Sequence, residues 1–367
     1  MRIERGSIDN FAQKHHLEAV LYFLPFSLVA VTVFGWWMGG YWTFSTPIFV
    51  YLVINIMDYI IPKLSRVSSP LKKGQAKIGG AAHLYPLAIW LWPFAQVASI
   101  LWCLWVSSDA SLSIIEILGV VLSVGVMAGA VGITFAHELI HRKKRWERIA
   151  GEILLLSVTY HHWSVEHVQG HHRNVGTPED PATARLGESF FAFLPRSIFG
   201  GMRSAFCIEA AKAQRRKRLP YGFRNRVISG LILQLLLYIL VLSTLGWKAA
   251  VALLFISLIA ILQLEAVNYF EHYGLSRRQV SPDSFERVSE KHSWDDCSRV
   301  SAYFLANLQR HSDHHLRPGE RYNNLSLLEG APQLPAGYAT MLLLALVPPL
   351  WFYVMDPRVK ELNQYPS

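Results

Sequence analysis

Nine histidines fall into four short clusters whose spacing is typical of metal ligands. The clusters are His137 and His141 in HELIH, His167, His171 and His172 in HVQGHH, His272 in NYFEHYG, and His311, His314 and His315 in HSDHH. Neutral imidazole is the commonest side-chain ligand for a transition metal. A single zinc-type site rarely takes more than four protein ligands. Nine histidines therefore predict a site for two metal ions.

Within three of the clusters, two histidines stand about one helical turn apart. His137 and His141 are four residues apart, so their imidazoles face the same way on a helix. The first two histidines of HVQGHH repeat this spacing, and the first two of HSDHH have the three-residue version. We expect each pair to hold one metal from one rigid helix.

Polar residues near the clusters are candidates for hydrogen bonds to the ligand histidines. They are Glu138, Glu166, Glu265, Asn268, Glu271 and Asp313. A metal-bound histidine usually donates its other ring N–H to a carboxylate or carbonyl, which fixes its tautomer. Glu265 lies within an apolar stretch, where an ionisable residue is a functional candidate by default. Asp58, near the end of another apolar stretch, is a weaker candidate for a hydrogen bond to a ligand histidine.

Simpler interpretations of single motifs account for fewer of the nine histidines. HELIH alone matches the HExxH motif of zinc proteases, in which the glutamate is the general base. A protease of that kind needs one further ligand and would leave six of the nine histidines unused. His161, His162 and His292 lie close to the clusters, and the sequence leaves open whether any of them binds metal.

Long apolar stretches must position these residues. The chain of 367 residues is 52% hydrophobic and only 17% charged, against about 25% charged residues in soluble domains. A membrane-spanning helix needs about 20 mostly apolar residues. Six stretches qualify, at about 17–39, 41–61, 84–106, 112–136, 227–245 and 249–270. The predicted fold is all-α: one polytopic membrane domain over 1–367 with six transmembrane helices.

A seventh apolar stretch, 340–354, is shorter and contains Pro348 and Pro349. We expect it to be an interfacial or re-entrant segment.

Basic residues predict how these helices are oriented. The loop after the second stretch holds five of them, at Lys63, Arg66, Lys72, Lys73 and Lys77. The loops after the first and third stretches hold none, and the turn after the fifth holds only Lys248. By the positive-inside rule, both termini and the segments 137–226 and 271–330 are then cytoplasmic. All nine histidines therefore fall on one side, as a cytoplasmic metal-binding cap.

The formal net charge of +9 does not indicate nucleic-acid binding, because no recognition motif accompanies it. The basic runs at 142–145 and 215–218 are most simply residues that meet anionic lipid headgroups. The sequence leaves open whether they also dock an acidic electron carrier.

HELIHR, EHVQGHHR, NYFEHYG and LQRHSDHH, in this order, resemble the histidine signatures of the membrane alkane 1-monooxygenases. These are integral-membrane diiron hydroxylases related to the fatty acid desaturases. The stretch TPEDPATARLGES at 177–189 and HSW at 292–294 are similar to further parts of that family. The resemblance covers nearly the whole chain, and the ordered set of motifs is far more specific than any one of them.

This resemblance implies two iron ions bound by the nine histidines, without the bridging carboxylates of soluble diiron enzymes. It implies terminal hydroxylation of an alkane by O2 to a primary alcohol, in a bacterial inner membrane. It also implies electrons from rubredoxin, which an NAD(P)H-dependent rubredoxin reductase reduces. An alkane has no polar group, so we expect a hydrophobic channel among the helices. Val126, Ala130 and Ile133, on the same helix face as His137, are expected to line it.

Three alternatives stay open. HELIHR is also close to the first motif of xylene and other alkyl-aromatic monooxygenases, and Ile140 and Val168 depart from the commonest alkane pattern. A related acyl desaturase shares the histidine spacing but is expected to lack NYFEHYG and LQRHSDHH. A polytopic metal carrier is less favoured, since its histidines would be spread through the spans rather than gathered at one end.

Overall fold

α-Helices form nearly all the regular structure in a computed structural model of the chain, which describes residues 16–65, 83–282 and 284–364. In chain order the α-helices are α1 (Ser27–Met38), α2 (Ser45–Ile48), α3 (Ile54–Ile60), α4 (Leu84–Ser107), α5 (Ile114–Met127), α6 (Thr134–Ile140), α7 (Arg145–Ser157), α8 (Trp163–Glu166), α9 (His172–Asn174), α10 (Phe190–Arg215), α11 (Arg226–His272), α12 (Val300–Phe304), α13 (His311–Leu316), α14 (Tyr338–Ala345) and α15 (Pro348–Gln364).

Shorter elements join or interrupt these helices. The π-helical segments are Phe49–Val53, Ala128–Ile133 and His167–His171. The 3₁₀ segments are Leu24–Phe26, Gly40–Phe44, Glu290–His292 and Tyr322–Asn324. Strands β1 (Gln279–Ser281) and β2 (Ser284–Phe285) form a small antiparallel pair, with Gln279 opposite Phe285.

Helical segments that are long and apolar enough to cross a membrane number five among the described residues. They are His16–Met38, Gly40–Ile60, Leu84–Ser107, Ile114–Ile140 and Arg226–His272. Several such segments in one chain indicate a multi-pass membrane protein. The first four lie close to the predicted bounds, and the fourth continues through Ile140, so that it carries His137 and Glu138 in its last turns.

The fifth segment differs from the prediction of two separate spans at 227–245 and 249–270. The helical run is 47 residues long and contains one non-helical residue, Gly246, with φ 82° and ψ −178°. Only glycine adopts this conformation at little cost. Ser108 Oγ, just beyond α4, donates to the Leu245 carbonyl at 3.0 Å. The bend at Gly246 therefore lies beside the end of α4 that is remote from the histidines.

The apolar stretch at 340–354 is divided between α14 and α15, and Pro348 begins the second of these helices. Neither helix is among the candidate spans in the described residues. Four of the basic residues that predicted the orientation, Arg66, Lys72, Lys73 and Lys77, lie outside the described residues.

Close packing brings the fourth candidate span against the fifth and the third beneath the histidines. A Cβ at Gly129 would lie 2.3 Å from Gln263 Nε2, and one at Gly132 would lie 1.7 Å from Gln96 Oε1. Any larger residue would force these neighbours apart. The two glycines lie in the π-helical segment Ala128–Ile133, which leads directly into the helix that carries His137.

Candidate metal centre

The structure brings all nine predicted histidines together in two groups. The five-histidine group holds His137, His141, His167, His172 and His314, and the four-histidine group holds His171, His272, His311 and His315. In each group, one ring nitrogen per histidine lies within 4.8 Å of all the others. The groups are adjacent, with ring centroids of His172 and His315 4.5 Å apart. The arrangement suggests a site for two metal ions.

The histidines pair differently from the expectation of one metal per helical pair. His137 and His141 do share a group, but His167 is in the group of His172, at an Nε2–Nε2 distance of 3.1 Å, and His171 is in the other. The physical reason is that His167–His171 is π-helical. Hydrogen bonding from residue i to i+5 widens the turn, which aligns His167 with the residue five positions later.

The cluster HSDHH also divides between the groups. His311 pairs with His315, at an Nε2–Nε2 distance of 3.0 Å, while His314 lies 3.0 Å from His172 by the same atoms. The predicted pairing of His311 with His314 on one metal is therefore wrong. Instead, α13 presents histidines to both groups at once.

The distances between ring nitrogens fit metal coordination. Nε2 atoms approach one another at 3.0 to 3.2 Å in four pairs. Imidazole nitrogens bound to one metal at about 2.0–2.1 Å lie about 3 Å apart in tetrahedral or octahedral geometry. The Nε2 atoms of His137, His141 and His171 are buried without a hydrogen-bond partner. Unpartnered buried polar atoms are rare, and two metal ions would satisfy them.

Burial keeps six of these imidazoles neutral, which metal binding requires. It lowers the pKa well below 6.5 for His141, His167, His172, His311, His314 and His315. Repulsion between neighbouring histidines lowers the pKa further. The lone pairs are therefore available at neutral pH.

Two ring nitrogens in the four-histidine group have partners that fix the tautomer. His272 Nδ1 lies 3.1 Å from the His292 carbonyl oxygen, and His171 Nδ1 lies 2.9 Å from Asp180 Oδ2. Since both partners accept, each Nδ1 carries the proton and each Nε2 keeps its lone pair for a metal. The sequence did not identify Asp180 as a partner of His171, because nine residues separate the two. Asp180 does lie in the stretch TPEDPATARLGES at 177–189, which is similar to part of the family.

Further hydrogen bonds hold Asp180 in place. Thr183 Oγ1 donates to Oδ2 at 2.6 Å, and the Ala182 N–H donates to Oδ1 at 3.0 Å. Burial favours the neutral carboxyl, but His171 and Thr183 outweigh it and lower the pKa of Asp180. The carboxylate is thus a fixed, ionised partner for His171.

Two of the predicted acids support the backbone around the histidines instead of contacting their rings. Glu138 pairs with the buried Arg142, which also donates to the carbonyls of Gly319 and Glu320. Asp313 forms an ion pair with Arg317 and accepts from the Ser326 N–H. These bonds tie the segments that carry HELIH and HSDHH to the loop at 317–326.

Glu166, Glu265 and Asn268 lie in a buried polar network beside the centre. Glu265 accepts from Tyr160 Oη at 2.7 Å and from Asn268 Nδ2 at 3.4 Å. Burial, with Asp180 and Glu265 nearby, raises the pKa of Glu166 well above 4.5. A Cβ at Gly170 would lie 2.5 Å from Glu166 Oε1, so this glycine makes room for the carboxyl group.

Glu271 is the predicted acid that contacts a cluster imidazole. Its Oε2 lies 3.2 Å from His311 Nε2, and its Oε1 accepts from Tyr338 Oη at 2.6 Å.

The remaining candidates lie away from the two groups. Asp58 accepts from the backbone N–H groups of Val300 and Ser301 and so anchors the start of α12. His292 contacts Glu286 and Ser289 through its ring, and His161 lies 3.7 Å from Glu152. Neither of these histidines, nor His162, belongs to the groups formed by the described residues.

An apolar cavity lies close to the histidines. Its walls include Val50, Ile54, Ala130, Phe304 and Leu342, and the side chains of Tyr51 and Gln263 also line it. A second, smaller cavity is lined by His137, His167, His311, Glu271 and Ile133. The two cavities share Gly129, Thr134, Val267 and Leu308 as lining residues. The inner cavity thus lies beside the outer one, between it and members of both groups of histidines.

Two of the three predicted channel residues line these cavities. Ala130 lines the outer cavity and Ile133 the inner one. Val126 is buried in the core of the described structure and lines neither cavity.

Comparisons with known proteins agree with this geometry. The fatty acid desaturase family matches residues 114–345. Alkane 1-monooxygenase 2 of Pseudomonas aeruginosa is 35% identical over 341 residues, 91% of this chain and 90% of that protein. Alkane 1-monooxygenase of Acinetobacter baylyi is 34% identical, covering 86% and 76%. The xylene/toluene monooxygenase hydroxylase component of Pseudomonas putida is 26% identical, covering 95% and 91%.

Proposed function

Because the chain belongs to the alkane 1-monooxygenases of the fatty acid desaturase superfamily, we propose that it hydroxylates the terminal carbon of alkanes. The reaction takes O2, two electrons and two protons and gives a primary alcohol and water. The observation that carries the proposal is an apolar cavity beside a smaller one that three of the nine clustered histidines line. A cavity with these walls suits a substrate without polar groups.

The nine histidines would hold two iron ions, five ligands on one and four on the other. When bound, the irons would supply the redox chemistry that reduction of O2 requires, which zinc lacks. Asp180 and the His292 carbonyl keep the protons of His171 and His272 on Nδ1. The Nε2 lone pairs then point to the metals.

The apolar cavity would bind and orient the alkyl chain. Apolar burial is worth about 0.8 kcal/mol per CH2, so affinity comes from the length of chain that the walls cover. Ala130 and Tyr51 are only half-buried, which supports an opening of the outer cavity toward lipid. An alkane dissolved in the bilayer could enter there and reach the histidines end-on.

Electrons would come from rubredoxin, docked over an open cleft on the other side of the four-histidine group. Asp180, Arg185 and Arg277 are among the residues that line this cleft. Asp180 contacts His171 directly, so one side chain separates the cleft from a ligand. Arginines at the rim favour an acidic partner, and we expect the rate at limiting rubredoxin to fall as ionic strength rises.

We further propose six crossings of a bacterial inner membrane, with both termini and the segments 137–226 and 271–330 in the cytoplasm. A straight helix of 47 residues would be about 70 Å long, against a hydrocarbon core of about 30 Å. If the chain reverses direction at the Gly246 bend, the run makes two crossings of suitable length. The whole chain would then be one hydroxylase domain.

Product analysis tests the function. Membranes that contain the protein receive iron, rubredoxin, rubredoxin reductase and NADH, with octane, dodecane, p-xylene and an acyl substrate. We expect primary alkanols by gas chromatography, and none from the His171→Ala variant. Benzylic alcohol alone would favour the alkyl-aromatic alternative, and an alkene from the acyl substrate would refute hydroxylation in favour of desaturation.

A further inference from the structure

Two neighbouring segments of the described structure expose apolar side chains among basic ones. One is α7 with the two lysines before it, and the other is the segment 215–224, which leads into α11. Their exposed basic residues are those at 143–145 and 215–218, with Arg224. Their exposed apolar residues are Trp146, Ile149, Ile153, Leu219, Tyr221 and Phe223. Together, these side chains are called the basic-apolar surface.

α7 is apolar on two sides, and only one side is packed against the protein. Leu154 and Leu155 are buried in the core. Trp146, Ile149 and Ile153 stand at positions i, i+3 and i+7, so they share one helix face, and they are 43 to 46% exposed. A helix that has basic residues and an exposed apolar face with tryptophan is typical of the membrane interface.

The segment 215–224 exposes its apolar side chains even more fully. Leu219 and Phe223 are 81% exposed, and Tyr221 is 71% exposed. The backbone around them is held in place, because Asn225 Nδ2 donates to the Pro220 carbonyl at 2.9 Å and Asn225 also caps α11. This segment therefore presents three large apolar side chains outward from an ordered loop.

Contacts join the two segments to each other and to the candidate spans. Arg226, the first residue of α11, forms an ion pair with Glu152 of α7. Trp146 packs edge-on against Trp90, with ring centroids 4.9 Å apart. Arg226 begins one candidate span, and Trp90 lies in the second turn of another. The basic-apolar surface is therefore continuous with the ends of segments that are expected to cross the membrane.

The charge of this surface is positive. The acids within 143–157 are Glu147 and Glu152, and each is paired with an arginine. The stretch 210–226 contains no aspartate or glutamate. The complementary occupant is therefore anionic. An acidic protein would match the charge alone, whereas an anionic bilayer matches the charge and also accepts the exposed apolar side chains.

We propose that the basic-apolar surface binds anionic phospholipids of the bilayer. The basic side chains contact lipid phosphates, and the exposed aromatic and aliphatic side chains insert at the level of the headgroups, where tryptophan and tyrosine are enriched. None of the residues that line the cleft proposed for rubredoxin belongs to this surface. Lipid binding here is independent of the proposed reaction.

Spin-labelled lipids test the headgroup preference. The full-length protein is reconstituted in phosphatidylcholine vesicles, and electron paramagnetic resonance compares its retention of labelled phosphatidylglycerol and labelled phosphatidylcholine. The wild type should prefer phosphatidylglycerol. Arg215→Gln, Arg216→Gln and Lys217→Gln together should lower this preference at least about twofold, because each basic residue near the surface attracts anionic lipid. Arg278→Gln with Arg287→Gln is the matched control: both arginines are exposed outside this surface, and the preference should be unchanged.

A label at Phe223 tests insertion. Cys207 is the exposed cysteine, while Cys103 and Cys297 are buried, so Phe223→Cys is made together with Cys207→Ser and labelled with bimane. Brominated lipid should quench this label, and iodide in the water should quench it several-fold less than a label at Val280. Val280→Cys in the same background is the control, because Val280 is also apolar and exposed but lies on β1.

An unchanged phosphatidylglycerol preference in the triple variant would overturn the proposal, and so would iodide quenching at Phe223 as strong as at Val280. A triple variant that instead loses affinity for rubredoxin, with Phe223 open to iodide, would assign the surface to an acidic protein. Should the triple variant fail to fold, the label at Phe223 alone decides, since its substitution leaves every charge in place.

Discussion

Replacing Asp180 with asparagine should weaken one metal site through a change of tautomer. Asparagine keeps the shape of the side chain, and its carbonyl oxygen can still accept from the Ala182 N–H. In the variant, its NH₂ group faces His171 Nδ1 and Thr183 Oγ1. In the wild type, both of these atoms donate to the carboxylate oxygen at this position. A donor at this place favours the His171 tautomer with the proton on Nε2. That tautomer has no lone pair for the metal.

The size of the effect follows from what the alternatives cost. Losing the partner of a ligand histidine typically reduces metal affinity 10- to 100-fold, or about 1.4 to 2.7 kcal/mol. Rotating the asparagine to restore an acceptor for His171 would turn its NH₂ group toward the Ala182 N–H. A buried donor left without an acceptor costs about 1 to 3 kcal/mol, so neither orientation avoids the loss. Because the hydrogen bond from Asp180 to this cluster goes to His171 in the described structure, we expect the loss at one metal of the two.

Chelator competition on the iron-loaded protein measures this loss. In Asp180→Asn, one iron should leave at a 10- to 100-fold lower chelator concentration, and the second should be retained as in the wild type. Asp296→Asn is the control. Asp296 is also buried and bonds to Ser298, and burial raises its pKa to about 6, so asparagine there should change neither iron. Equal retention of both irons in Asp180→Asn would refute the tautomer argument.

The remaining predictions concern the cavity and a histidine outside the groups. Ala130→Trp should shorten the accepted alkane, because an indole in the outer cavity removes space for about four methylenes, or about 3 kcal/mol of apolar binding. Competition between octane and dodecane, read by gas chromatography, checks this, and an unchanged product ratio would contradict the channel. His292→Ala should retain two irons by metal analysis, since the hydrogen bond from His292 to His272 is made by its backbone carbonyl. Loss of one iron would assign the His292 ring to the centre.

The membrane helices were largely predictable from the sequence, because an apolar run of sufficient length has few other stable structures. The first four candidate spans among the described residues lie close to the predicted stretches. Their fine structure was not predictable in the same way. The π-helical segment Ala128–Ile133 and the bend at Gly246 depend on contacts such as Gly132 with Gln96 and Ser108 with Leu245, which join residues far apart in the chain.

The candidate ligands were predictable as a set, but their division between two groups was not. Spacing of three or four residues identifies one face only if the helix is regular. The π-helical turn at His167–His171 separates His167 from His171, and α13 serves both groups at once. No periodicity in the sequence distinguishes an α-turn from a π-turn, so the expected pairs at these two clusters were wrong.

The predicted acids show why adjacency in sequence is a poor guide to contact. A residue next to a ligand on a helix points about 100° away from it, so Glu138 and Asp313 reach arginines instead of the rings beside them. Glu271 obeys the same geometry: it cannot bond to His272, its neighbour, but it reaches His311 on another helix. Asp180 lies in a turn nine residues from His171, where helix geometry does not fix the direction of its side chain. Its carboxylate lies 2.9 Å from Nδ1 of His171, in the four-histidine group. The acids that matter to the metals are therefore those that the fold, and not the motif, brings to an imidazole.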